Sequence, residues 1–132
     1  MQRHGFSIEI EGHGRIDITV EKQDAVSVHW IADYRSAEPL KEATFSTPLH
    51  ATKKTISVLA ELELFKGDLP WSKVMTKKGW AYAHLYRPPA ILKKHIKCAV
   101  FLNNRFVQTF ITPESTGKQM IESEVRHILE GM

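Results

Sequence analysis

The chain has 132 residues, an apolar fraction of 42%, a charged fraction of 25% and a net charge of +3, figures that fit one globular domain, residues 1–132. No run approaches the roughly 18 apolar residues of a membrane-spanning helix, and no apolar stretch follows the polar start Met1-Gln2-Arg3-His4-Gly5, so neither a span nor a secretory leader is expected. The single cysteine, Cys98, excludes an internal disulfide and fits a reducing, cytoplasmic setting.

Phe6, Ile8 and Ile10 alternate with Ser7, Glu9 and Glu11. After Gly12-His13-Gly14, Ile16, Ile18 and Val20 alternate with Arg15, Asp17, Thr19 and Glu21. A period of two is that of half-buried strands, and the glycines supply the positive φ of a tight connection. Val26, Val28 and Trp30 continue the pattern past Gln23-Asp24, so an antiparallel meander with one apolar and one mostly acidic face is expected. Tyr34 to Leu40 reads as a loop, and Ala43 to Thr47 as a short strand ended by Pro48. Thr55 to Phe65 satisfies two periods at once. Ile56, Val58, Ala60, Leu62 and Leu64 alternate, while Val58, Leu59, Leu62 and Phe65 share a helical face; the Ala, Leu and Glu content favours helix.

Asp68 as N-cap and Pro70 in a first turn predict a short helix to about Lys78, closed by Gly79. Trp80 to Arg87 alternates again, with Trp80, Tyr82, His84 and Tyr86 on one face and Ala81, Ala83 and Leu85 on the other. Ile96 to Thr112 reads as a β-hairpin turning at Asn103-Asn104, a pair that tolerates the positive φ of a type I′ turn. This register sets Leu102 against Arg105, Phe101 against Phe106, Val100 against Val107 and Ile96 against Ile111. It groups Ile96, Cys98, Val100, Val107 and Ile111 on one face and Ala99, Phe101, Phe106 and Phe110 on the other. A strand pair apolar on both faces belongs inside a sheet covered on both sides.

The last element is a helix, with Thr116 and Gln119 as a capping box, an apolar stripe of Ile121, Val125, Ile128 and Leu129, and an outer Glu122/Arg126 pair. The stripe is expected to cover Phe101, Phe106 and Phe110. No internal repeat is evident at the usual periods. The expected fold class is α+β: a mainly antiparallel sheet of five to seven strands with the C-terminal helix packed across one face.

The charges are unevenly distributed. Residues 1–68 hold 8 basic and 11 acidic side chains, residues 69–113 hold 8 basic and no acidic ones, and residues 114–132 hold 2 and 4. The acid-free segment combines lysines with aromatics, a composition that attracts phosphates and offers rings for base stacking. The candidate nucleic-acid-binding residues are Lys73, Lys77, Lys78, Trp80, Tyr82, His84, Tyr86, Arg87, Lys93, Lys94 and Lys97. The bland alternative is a solvated basic face over buried rings.

Other signals are weaker. Thr112 to Gln119 departs from a phosphate-binding loop at two positions, because Thr112 replaces the first glycine and Gln119 the metal-holding hydroxyl. Seven histidines (His4, His13, His29, His50, His84, His95 and His127) show no metal-ligand spacing, so no metal or cofactor is expected. Cys98 sits among apolar neighbours as an inert core thiol would. The best reading is a small non-enzymatic binding domain whose partner is nucleic acid, RNA or DNA. The alternatives are a small-molecule pocket lined by Trp30, Phe101, Phe106 and Phe110, a protein-interaction domain that dimerises through a strand edge, and a metal-independent ribonuclease built on His84.

Overall fold

The structure, a computed structural model, describes residues 5–131, so His4 lies outside the described residues. It divides the chain into two units, Met1–Phe65 and Lys66–Met132. Both are α+β, and their sheets are antiparallel. In place of one sheet of five to seven strands there are two sheets of four, each followed by its own helix.

The first unit is a meander of β1 (Gly5–Ile10), β2 (Gly14–Gln23), β3 (Ser27–Tyr34) and β4 (Lys41–Pro48), in that spatial order. Gly12 (φ +77°) and Gly14 (φ +109°) make the first turn. The Asp24 carboxylate makes the second by accepting the N–H groups of Val26 and Ser27 at 3.0 and 2.9 Å. Ile16, Ile18, Val28, Trp30, Ala32 and Tyr34 are buried on one face, where Trp30 donates its ring N–H to Thr47 Oγ1 at 2.9 Å. Helix α1 (Lys53–Phe65) begins at Thr52, whose hydroxyl accepts the N–H of Thr55 at 3.1 Å, and Phe65 meets Tyr34 edge-on at 5.4 Å. The helix resolves the ambiguity of residues 55–65. At about 100° per residue, Ile56, Ala60 and Leu64 lie on one side and Val58, Leu62 and Phe65 on the opposite side, and all six are buried. A helix apolar on two opposite sides reads as alternation.

The second unit is a meander of β5 (Trp71–Thr76), β6 (Gly79–Tyr86), β7 (His95–Leu102) and β8 (Arg105–Pro113), followed by α2 (Lys118–Glu130). The helix expected over Asp68 to Lys78 is instead β5 and a hairpin turn. Val74 and Thr76 point inward alternately, and Thr76 closes the turn by donating to the Gly79 carbonyl at 2.8 Å while accepting the N–H of Lys78 at 3.2 Å. Gly79 is thus a turn residue at φ +122°, not a helix cap. Asn103 and Asn104 adopt φ +50° and +65°, as the type I′ turn requires.

Beyond that turn the expected hairpin register holds for two pairs and then slips. Leu102 faces Arg105 and Phe101 faces Phe106, but Val100 faces Gln108 and Ile96 faces Thr112, because β8 bulges at Val107. The slip reverses the sides of the later residues. Phe110 turns inward opposite Cys98, and Ile111 turns outward opposite Lys97 at 54% exposure. Helix α2 packs Ile121, Val125 and Leu129 against Val74, Ala81, Ala83, Leu85, Ile96, Cys98 and Val100, with Ile128 at the margin. It therefore covers the face opposite Phe101 and Phe106, contrary to expectation. Its N-cap is Gly117, with no side-chain capping bond, so the Thr116/Gln119 box does not form; the Thr116 hydroxyl instead pairs with that of Thr112 at 2.7 Å. Arg126 Nε donates to the Met75 carbonyl at 3.1 Å, tying α2 to β5.

The two units repeat one plan, four strands in sequential order and a helix, and the sequence carries its trace. Thr44, Phe45, Thr47, Pro48, Lys53 and Ile56 recur 65 positions later as Thr109, Phe110, Thr112, Pro113, Lys118 and Ile121. Gly14 and Gly79, which open β2 and β6 with similar positive φ, keep the same spacing, as do the buried pairs Ile16/Ala81 and Ile18/Ala83. The expectation of no repeat at the usual periods is untouched by this longer one. The period exceeds the 20–50 residues at which solenoids and propellers repeat.

Candidate nucleic-acid interface

Because Ala81, Ala83 and Leu85 turn toward α2, their neighbours Trp80, Tyr82, His84 and Tyr86 turn to the opposite face of the sheet. Strand pairing adds to that face in rows. Trp71 lies opposite His84, Lys73 opposite Tyr82, and Met75 opposite Trp80; Tyr82 then faces Phe101, which faces Phe106. The rings touch in sequence. Trp71 lies 5.9 Å from both Tyr82 and His84, Tyr82 lies 6.4 Å from His84, His84 meets Phe101 edge-on at 5.6 Å, and Phe101 meets Phe106 at 5.7 Å. One aromatic band thus crosses all four strands.

Accessibility differs along the band. Trp71 is 59% exposed, Met75 49% and Trp80 44%. Tyr82 and His84 are half-buried. Phe101 is buried, and Tyr86 is fully buried, so Tyr86 presents no ring to a ligand. Lys73 is exposed, and its ammonium sits over the Trp80 ring 4.3 Å from the centroid. The sequence marks Trp71 as one of the aromatics of the acid-free segment, but Trp71 and Met75 are not among the candidate binding residues above because Asp68 and Pro70 read as a helix start. The alternation Trp71, Lys73, Met75 outward against Val74 and Thr76 inward was the available signal.

The cations do not form one cluster. Lys77 and Lys78 occupy the β5–β6 turn beside Trp80, at the end of the sheet that also holds Arg105 after the Asn103-Asn104 turn. Lys93 and Lys94 lie in the β6–β7 connector at the other end, where Lys94 has φ +60°. Lys97 is half-buried on β7 opposite Tyr86. Arg87 is paired with Glu114 at 3.0 Å. Lys73, Lys77 and Lys78 are therefore the lysines that adjoin the accessible rings.

The charge asymmetry follows the division into units. Residues 66–132 hold 11 basic and 5 acidic side chains, a net of +6; residues 1–65 hold 7 and 10, a net of −3. In the second unit no acid lies on any strand. Glu122, Glu124 and Glu130 are on α2, across the sheet from the rings, and Glu130 accepts the N–H of Lys77 at 3.0 Å. The corresponding outer face of the first unit is acidic, as expected. Asp17, Asp33 and Glu42 are cross-strand neighbours, with Arg15 and Arg35 as counter-charges to Asp17 at 3.0 and 3.7 Å. The Glu42 carboxyl is raised above its ordinary range, first by its hydrogen bond with Asp33 and then by the charge on Asp33. The Asp24 carboxyl is held well below its ordinary range by the N–H groups of Val26 and Ser27, with help from the Ser27 hydroxyl and His29.

Cys98 is buried in the core of the second unit, and desolvation pushes its thiol up to about 12, which removes it as a nucleophile. Among the described residues no three His, Cys, Asp or Glu side chains converge as a metal site, and no helix is long and apolar enough to cross a membrane. Comparison with protein-family models, with curated proteins and with solved structures finds no match to the chain.

Proposed function

We propose that the unit Lys66–Met132 binds nucleic acid through the ring-bearing face of its sheet, in a reducing compartment such as the cytoplasm where Cys98 remains a thiol. The observation that carries this reading is the exposure of Trp71 and Trp80 on either side of Lys73, on strands without a single acid. Exposed rings cost hydration unless a partner covers them, and positive charge beside them selects a partner that is anionic and has flat apolar faces. Nucleic acid has both properties.

The test is fluorescence anisotropy with a labelled twelve-nucleotide strand at low salt. The protein is expected to bind, the variant Lys73→Glu/Lys77→Glu/Lys78→Glu to lose binding, and Lys93→Glu/Lys94→Glu/Lys118→Glu, the same change in charge placed away from the accessible rings, to keep it. Equal loss in both variants would mean that net charge, not this face, drives association.

A further inference from the structure

The rows of the ring face have a spacing that restricts what can lie on them. Trp80, Tyr82 and His84 are two residues apart along β6, and Met75, Lys73 and Trp71 stand opposite them on β5. Two strand residues advance about 6.6 Å. Bases stacked in a duplex strand rise about 3.4 Å, half that distance. Bases seated on successive rows must therefore be pulled apart from one another, which a paired duplex does not allow.

From this spacing we infer that the face takes an extended single strand of three nucleotides, one base per row, running along β5 and β6. This inference rests on the nucleic-acid reading above and specifies its ligand. The first base lies on Trp80, the second on Tyr82, and the third on the Trp71–His84 pair, whose rings are 5.9 Å apart and tilted by 25°. Lys73 stands in the middle row, within reach of the phosphates between bases. Lys77 and Lys78 extend the positive charge past the Trp80 row at the turn. In the free protein the Lys73 ammonium occupies the Trp80 ring, so seating the first base sends it to a phosphate. No donor or acceptor on the three rows is needed to read a base edge, so the site selects unpaired over paired bases rather than one sequence over another.

The test measures quenching of tryptophan fluorescence by oligothymidylates and oligouridylates of one to six nucleotides, by a twelve-base-pair duplex, and by inorganic polyphosphate. Wild-type protein and Trp80→Ala are compared, Trp71 still reporting in the variant. Affinity is expected to rise about fivefold or more with each nucleotide up to the third, then by less than twofold per nucleotide. Trp80→Ala removes one of these steps and does not weaken displacement by polyphosphate, since the Lys73 ammonium is freed from the ring. Ribo and deoxy series agree within about threefold, and the duplex binds at least tenfold more weakly than the hexanucleotide. Affinity that climbs with length without a break, or a duplex that binds as well as a single strand, would overturn the inference while leaving a purely electrostatic nucleic-acid surface. No binding of any oligonucleotide at low salt would remove the nucleic-acid reading itself.

Discussion

Replacing Lys73 by glutamine removes two interactions that act in opposite directions. In the free protein the Lys73 ammonium, 4.3 Å from the Trp80 centroid, makes an exposed cation–π contact of about 0.5 kcal/mol. In the complex it meets a phosphate and contributes about −0.7 to the slope of log affinity against log salt. At about 50 mM salt that slope corresponds to roughly 1.2 kcal/mol, and at about 0.3 M to roughly 0.5 kcal/mol. The lost phosphate contact dominates at low salt, so Lys73→Gln should bind a single strand about threefold more weakly there. Near about 0.3 M the freed Trp80 ring compensates, and the two proteins should bind equally. The assay is a titration with a labelled twelve-nucleotide strand at five salt concentrations, plotted on logarithmic axes. Two lines whose slopes differ by about 0.7 and which meet at the high-salt end support the exchange of ring for phosphate. Parallel lines would refute it, since Lys73 would then touch no phosphate.

Other consequences concern stability. Leu129, fully buried between α2 and the sheet, should cost about 2–5 kcal/mol on replacement by alanine, read as a lowered urea midpoint. Gly79→Ala places a side chain at φ +122° and 3.3 Å from the Asn103 amide, and should destabilise by more than about 1 kcal/mol in the same assay. Cys98, with its thiol at about 12 and no exposure, should react with an aromatic disulfide reagent only as the protein unfolds; labelling in native buffer as fast as that of a free thiol would contradict its burial. Glu42 has a raised folded-state value, so its contribution to stability is full below the ordinary glutamate range and is lost as pH rises through the folded value. Glu42→Gln should therefore raise the urea midpoint at pH 7, by an amount that shrinks toward pH 4; a gain that grew on acidification would be the wrong sign.

Most strands were legible because their period of two is carried by branched and aromatic residues against polar ones, as in Ile16-Asp17-Ile18-Thr19. The type I′ turn was legible because few residues other than asparagine and glycine accept two successive positive φ values. The bulge at Val107 was not. Phe106, Val107, Phe110 and Ile111 are all apolar, so neither register exposes an incongruous side chain, and pattern cannot detect a slip of one residue. Strand β5 was hidden by Asp68 and Pro70, which have the chemistry of a helix start; here Asp68 sits in a turn with Gly67 at φ +50°, closed by the Leu69 N–H on the Lys66 carbonyl, and Pro70 leads into the strand, its carbonyl accepting the N–H of Leu85. At the candidate site, composition located the charge and the rings but not their sorting. That Lys93 and Lys94 fall at the far end of the sheet follows from the meander, and that Tyr86 is buried follows from packing; neither has a local signature.

The surplus residue in β8 lets a single strand serve two masters. Before Val107 its phenylalanine joins the aromatic band; after it, the next one seals the interior against Cys98. Pairing Val107 into the ladder would slide the later residues one place, setting Phe110 opposite Lys97 on the outer face and Ile111 opposite Ile96 inside; excising it would straighten the strand and leave Phe110 opposite Cys98, so this residue can be removed but not paired.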